Sequence, residues 1–183
     1  MPFRHCPSCG GTEIRLEFGK AFRCGACGFL YFHNVATAAG AVIESDGRLL
    51  FIVRAMEPAA GLLALPGGFV DPGERAEDAV VRECREEIGW APKEFEFLAS
   101  FPNRYEYRSI LYNTCDFFFL VRADGLSVKD LELDPEETAG VRFVRPDEVV
   151  MEDLAFESTR MAIGAYLEYK ARIRVNSPER YSS

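Results

Sequence analysis

The sequence predicts an α/β fold, a mixed β-sheet covered by helices, preceded by a small cysteine-rich unit. Strand-like and helix-like segments are intermixed without strict alternation, which argues against a doubly wound parallel sheet. Composition shifts near His33 and Asn34, from cysteines, glycines and short polar turns to regular apolar segments. At 183 residues, 48% apolar and 27% charged, the chain is long enough for one real core with an appendage. The expected division is therefore residues 1–33, residues 34–175 and a frayed tail at 176–183.

The first unit carries Cys6-Pro-Ser-Cys9 and Cys24-Gly-Ala-Cys27, each followed by a glycine and separated by fourteen residues. In a reducing compartment that spacing favours a metal over disulfides. The pattern resembles a zinc ribbon, which implies Cys6, Cys9, Cys24 and Cys27 as a closed structural Zn²⁺ shell. About thirty residues bury too little surface to fold unaided, so the metal would supply the folding free energy. His5 adjoins the set and reads as an exposed bystander.

Beyond the boundary, residues 37–43 and 49–53 read as strands joined through Ser45-Asp46-Gly47, a hairpin signal. A glycine-rich loop spans 65–73. Residues 75–88 read as a helix with Ala76, Ala79, Val80 and Cys84 on one face and Gly89 just past its end. Further strands are expected at 94–100, 115–122 and 141–144. Residues 153–174 read as a long helix whose apolar stripe is Ala162, Tyr166, Tyr169 and Ile173.

The chemical signal lies in the 75–88 helix. Arg82, Glu83, Glu86 and Glu87 recur at spacings of three and four, and so share a face opposite the apolar stripe. Glu83 repels Glu86 and Glu87 at roughly 0.2–0.5 kcal/mol per pair. Glu86 and Glu87 also sit in the last turn, where the helix dipole disfavours a carboxylate by about 0.3–1 kcal/mol. A hard divalent cation would turn these penalties into coordination. The competing reading, a solvated charged face with an Asp78–Arg82 pair, weighs equally on the helix alone. The preceding segment, Leu65-Pro-Gly-Gly-Phe-Val-Asp-Pro-Gly-Glu74, tips the balance, because such a loop brings backbone close to a ligand.

Gly68, Glu74, Arg82, Glu83, Glu86, Glu87 and Gly89 meet the pattern G-x5-E-x7-R-E-U-x-E-E-x-G-U, with Cys84 and Trp90 departing only at apolar positions. The chain thus resembles the Nudix hydrolases, from Asn34 to about Glu148. The resemblance implies an α/β/α sandwich and Mg²⁺- or Mn²⁺-dependent hydrolysis of a pyrophosphate bond in a nucleoside diphosphate linked to another group. It further implies Glu83, Glu86 and Glu87 as metal ligands and Arg82 as the group orienting them. Glu74 would be a weaker ligand or a loop anchor, and the Gly67 or Gly68 carbonyl would complete the shell. The general base would be Glu87, Glu136 or Glu137. The last two also read as an acidic turn after Asp134-Pro135.

A ribbon joined to such a domain resembles the NADH pyrophosphatase branch, but that branch's S-Q-P-W-P-F-P-x-S is here Ser100-Phe-Pro-Asn-Arg-Tyr-Glu-Tyr107. The expected substrates are NAD(H), ADP-ribose or a nucleotide sugar. Tyr105, Tyr107 and Tyr112, with Phe101 and Arg104, read either as a base-stacking face or as strand and core aromatics. Two rival classes are a non-catalytic nucleotide-sensing module and the diphosphate isomerase of the same fold. The isomerase needs an active-site cysteine, whereas Cys84 and Cys115 lie in apolar patterns. A net charge of −8 without a basic block argues against a nucleic-acid partner. Apolar runs are too short for a membrane span and the N-terminus lacks a signal region, so a cytoplasmic protein is expected, with the C-terminal helix as the candidate interface of a homodimer.

Overall fold

The computed structural model describes residues 4–107 and 110–176; of the tail expected at 176–183, Asn176 ends a helix and the rest lies outside the described residues. The chain forms two compact units, one built on the residues up to Val35 and the other beginning at Ala36.

In the first unit, β1 (Ile14–Glu17), β2 (Ala21–Cys24) and β3 (Leu30–Phe32) form an antiparallel sheet in that order. The β1–β2 connection places both Phe18 and Gly19 at positive φ, the geometry of a tight hairpin. Its buried apolar residues are Cys6, Ala21, Phe22 and Cys24, a small core that includes two of the four cysteines.

The second unit contains β4 (Ala36–Ser45), β5 (Arg48–Arg54), β6 (Leu63–Ala64), β7 (Gly67–Phe69), α1 (Ala76–Ile88), β8 (Glu96–Tyr107), β9 (Ile110–Arg122), β10 (Thr138–Val144) and α2 (Glu157–Asn176). The sheet order is β10-β5-β4-β9-β8, with β6 on β5 and β7 on β4. β4 pairs β9 in parallel from Ala36↔Thr114 to Glu44↔Arg122, while β5 and β7 run antiparallel to β4. The sheet is therefore mixed, as the irregular order of elements predicted. Asp46 and Gly47 both take positive φ in the β4–β5 turn, which suits the strand twist.

Alternation along the central strands divides the core. Ala39, Ala41, Ile43, Phe119 and Val121 pack with Ala79, Val80, Cys84 and Ile88 of α1. Val42, Phe118 and Leu120 pack with Ala162, Ile163 and Tyr166 of α2. One helix covers each face, which gives an α/β/α sandwich.

Several boundaries differ from expectation. The loop expected at 65–73 contains β7, because Gly67 and Gly68 let the chain lie against Gly40 and Ala39 of β4. The strands expected at 94–100 and 115–122 extend to Tyr107 and back to Ile110. The long helix begins at Glu157 rather than at 153. Residues 151–153 form a 3₁₀ turn, and the fully buried Leu154 bridges to Leu63, whose carbonyl also accepts the Ala155 N–H at 2.8 Å. This pairing holds the chain extended past the predicted start. On α2 the buried residues include Ala162, Ile163 and Tyr166, whereas Ile173 is 41% exposed and stands outside the core they form.

Candidate active site and metal centre

Helix α1 positions the acidic residues. Gly89 ends it in the left-handed conformation, φ 64°, and donates its N–H to Arg85 O at 3.1 Å. The two preceding carbonyls are satisfied from outside, since Glu132 N–H reaches Ile88 O at 3.0 Å and Asp134 N–H reaches Glu87 O at 3.2 Å. A Cβ on Gly89 would lie 2.7 Å from the Glu132 carbonyl oxygen, so this close approach also requires glycine.

Arg82 organises the site. Its Nε and Nη2 fork onto the two oxygens of Glu74, each at 2.9 Å. Its Nη1 donates to Glu83 at 2.7 Å and to Glu86 at 2.9 Å, and Nη2 also reaches the Phe69 carbonyl at 3.0 Å. The expected Asp78–Arg82 pair gives way to these, because the glycine-rich segment folds back over the helix. Glu74 also accepts the Asp71 N–H at 3.0 Å, so it anchors the loop. Its hydrogen bonds from Arg82, then that from Asp71, hold its carboxyl below the usual range.

Glu83 and Glu87 are only 9% and 5% exposed, while Glu86 faces solvent. The expectation that all three share a face opposite the apolar stripe is corrected: Glu83 and Glu87 border the buried face, and β7 covers them. Burial raises the Glu83 carboxyl against the lowering pull of Arg82, with the charges of Glu86 and Glu137 adding to the rise. Burial pushes Glu87 up to about 8, opposed by the Gly67 N–H and reinforced by the charges of Glu83 and Glu137. The Gly67 N–H donates to Glu87 Oε2 at 2.8 Å. A Cβ on Gly68 would lie 2.7–2.8 Å from the Glu83 carboxylate, which explains why the glycine pair precedes this helix.

The two late acidic residues separate. Both are exposed, but the Glu137 charge is felt at Glu83 and Glu87. The Glu136 N–H is turned onto Asp134 Oδ1 at 2.8 Å.

A cleft in the second unit adjoins the glycines. It is lined by Gly67, Gly68 and Phe69, by Arg54, Asn103 and Tyr105, and by Thr114, Asp116, Phe156 and Ser158. Of the predicted aromatic face, Tyr105 and Tyr112 flank Phe69 at 5.5 and 6.3 Å between ring centres. Phe101 instead packs on Phe118 at 6.3 Å, and the Tyr107 side chain lies outside the described residues. Sequence reasoning missed Arg54, Asn103, Asp116 and Phe156 as cleft residues. Asp116 carried a usable signal, being a lone carboxyl inside the apolar run Cys115 to Val121.

In the first unit the four cysteine sulfurs all lie within 4.8 Å of one another. Cys6–Cys27 and Cys9–Cys24 are each 3.7 Å apart, too far for disulfides. Thiolates about 2.3 Å from a tetrahedral centre are separated by about 3.8 Å, so the set fits a zinc ion. Ser8 N–H and Gly11 N–H point at Cys6 and Cys9 sulfur, each at 3.4 Å. Among the described residues, this is the one group of three or more metal-ligating side chains gathered so closely; Glu83, Glu86 and Glu87 are spread by their bonds to Arg82 and Gly67.

A family model described as NUDIX domain matches residues 33–162. The "ADP-ribose pyrophosphatase" of Methanocaldococcus jannaschii is 52% identical over 64 residues, covering 35% of this chain and 37% of that protein. The "NAD-capped RNA hydrolase" of Schizosaccharomyces pombe is 28% identical over 163 residues, covering 81% of this chain and 42% of that protein. The chain thus spans less than half the length of these curated relatives. Among solved structures, a MutT NUDIX hydrolase from Burkholderia pseudomallei has a TM-score of 0.62 at 28% identity, over 72% of this chain and 98% of its own. A NUDIX hydrolase from Nitrosomonas europaea shares the fold over 93% of both chains, with a TM-score of 0.65 at 24% identity. With its fold, its carboxylate helix and a family match over most of its length, the chain belongs to the NUDIX domain family.

Proposed function

We propose that this protein is a divalent-metal-dependent pyrophosphohydrolase that cleaves the phosphoanhydride of a nucleoside diphosphate joined to another group, of the ADP-ribose or NAD(H) type. The observation carrying this reading is the buried pair Glu83 and Glu87, mutually repelling and pressed against Gly67 and Gly68 at the mouth of a cleft. Buried charges persist only when compensated, and Arg82, with Arg54 acting on Glu87, cannot offset Glu74, Glu83, Glu86, Glu87 and Glu137 together. Oxygen-rich, uncompensated and partly enclosed, the set suits Mg²⁺ or Mn²⁺ held by Glu83, Glu86 and Glu87.

Such a cation supplies charge neutralisation at the diphosphate and acidifies a water. Arg82 holds one oxygen each of Glu83 and Glu86, leaving the others free to ligate. Glu74 keeps the loop closed on Arg82. We assign proton acceptance to Glu137, which is exposed and acts electrostatically on both buried carboxylates. The cysteine cluster would hold a structural Zn²⁺, residues 1–33 forming the ribbon and 34–175 the catalytic domain. The retained carboxylate set disfavours a purely nucleotide-sensing role.

The test is a panel of ADP-ribose, NAD(H), NAD-capped RNA, nucleotide sugars and nucleoside triphosphates with Mg²⁺ or Mn²⁺, with the phosphomonoester products of each cleavage resolved by chromatography. Turnover is expected on one of the first three. Glu83→Gln and Glu87→Gln should each lower kcat by about 100-fold or more, with unchanged circular dichroism. Wild-type rates in both variants would refute the metal assignment. Glu137→Gln should lower kcat by at least about 100-fold with KM little changed.

A further inference from the structure

We propose, building on the hydrolase reading, that Asp116 is the specificity-determining residue of a nucleobase subsite and selects a base bearing an exocyclic amino group of the adenine type. The cleft runs from Gly67 and Gly68, beside the buried glutamates, to Asp116 and Ser158 on the α2 side of the sheet. A diphosphate at the glycines therefore leaves its nucleoside facing Asp116.

Asp116 is 7% exposed. Its Oδ2 accepts from Ser158 Oγ at 2.6 Å, and among the described residues its Oδ1 has no hydrogen-bond partner. Thr114, two residues away on the same face of β9, lines the cleft with its buried Oγ1 also unpartnered among the described residues. Buried polar atoms without partners are costly and rare in folded proteins, so this pair points to a ligand that completes them.

The surrounding surface indicates the kind of ligand. Phe156 and Tyr105 lie with ring centres 5.7 Å apart, and the Arg54 guanidinium stacks 5.0 Å above Phe156. An aromatic lining of this kind, its two rings tilted 52° to each other beside the unpartnered oxygens, suits a heteroaromatic ring better than a sugar. Asp116 Oδ1 accepts only, whereas a threonine hydroxyl both donates and accepts. An amino group beside a ring nitrogen, as in adenine, offers the matching donor and acceptor. An oxo group there, as in hypoxanthine, would set its lone pairs against Asp116.

The experiment is calorimetric binding of AMP, IMP and ribose 5-phosphate to the full chain, in wild type, Asp116→Asn, Thr114→Val and Ser158→Ala. Wild type is expected to bind AMP at least about tenfold tighter than IMP, the scale of one hydrogen bond to a charged group. Asp116→Asn, whose amide can donate to an oxo group, should bring that ratio near one, and Thr114→Val should reduce it severalfold. Ser158→Ala, which removes the hydrogen bond holding Asp116 in place, should also reduce it severalfold. Equal wild-type affinity for AMP and IMP, absent AMP binding, or ribose 5-phosphate bound as tightly as AMP would each overturn the proposal, with no variant needed. An unchanged ratio in Asp116→Asn would do the same. Base preference without turnover sinks the hydrolase reading alone, and turnover without base preference sinks this inference alone.

Discussion

Gly67 and Gly68 are neighbours in β7, yet a methyl group added to each would meet different kinds of atom. At Gly67, with φ 149°, it would press into the Ala39 carbonyl oxygen and lie 2.6 Å from Gly40 Cα, all backbone of the central strand. Gly67→Ala is therefore expected to cost about 1–3 kcal/mol of stability. At Gly68 the three nearest atoms to the methyl would all belong to the Glu83 carboxylate, a side-chain end that can swing aside. Gly68→Ala should melt within a few degrees of wild type while losing most of its turnover. Thermal melting with kcat/KM on each variant checks the pair, and the reverse pattern would contradict the geometry. Sequence spacing made both glycines and all three glutamates legible as a set. It placed the glutamates on a free polar face, although seven residues make nearly two turns and so set Glu83 and Glu87 beside Ala76 and Val80 of the apolar stripe; the strand that closes over them is not written in the helix at all.

At the scale of the element, α1 is a helix built against its own electrostatics. Burial and neighbouring carboxylates raise Glu87 to about 8, above the ordinary glutamate value, so folding favours its protonated form. The unfolded chain releases that proton near the usual carboxylate pKa. The metal-free protein should therefore be most stable below that value, lose stability as pH rises through the window up to about 8, and level off above it. Denaturant titrations of metal-depleted protein between pH 5 and 9 test this. Glu87→Gln should flatten the slope, and added Mg²⁺ should oppose it. An equal slope in the variant would mean that Glu87 is not the group responsible. The helix also depends on a remote segment, since Glu132 and Asp134 cap its last carbonyls. Glycine at position 89 announced the helix end, but not that a loop more than forty residues later would complete it. The late start of α2 has the same origin, a tertiary pairing of Leu154 with Leu63 overriding a local helical pattern.

For the whole molecule, the two units hold together by different means. The second has buried apolar layers on both faces of its sheet, whereas among the described residues the buried apolar ones of the first are two cysteines, one alanine and one phenylalanine. Removing metal from the cysteines should therefore unfold the first unit while the second keeps a cooperative transition. Thiol titration should then count four newly reactive cysteines, with Cys84 still protected by its burial in the second unit. Full protection of all six after chelation would count against a metal-held ribbon. The sequence by itself determined the mixed α/β class, the cysteine quartet and the carboxylate helix, because each rests on local spacing: C-x-x-C pairs, strand and helix periodicities, and a run of fixed residue types. Only the tertiary structure decided that Glu83 and Glu87 are buried, that the Glu137 charge acts on both, and that Asp116 lines the cleft. Those are outcomes of which strand lies over which helix, and they depend on contacts between segments far apart in the chain.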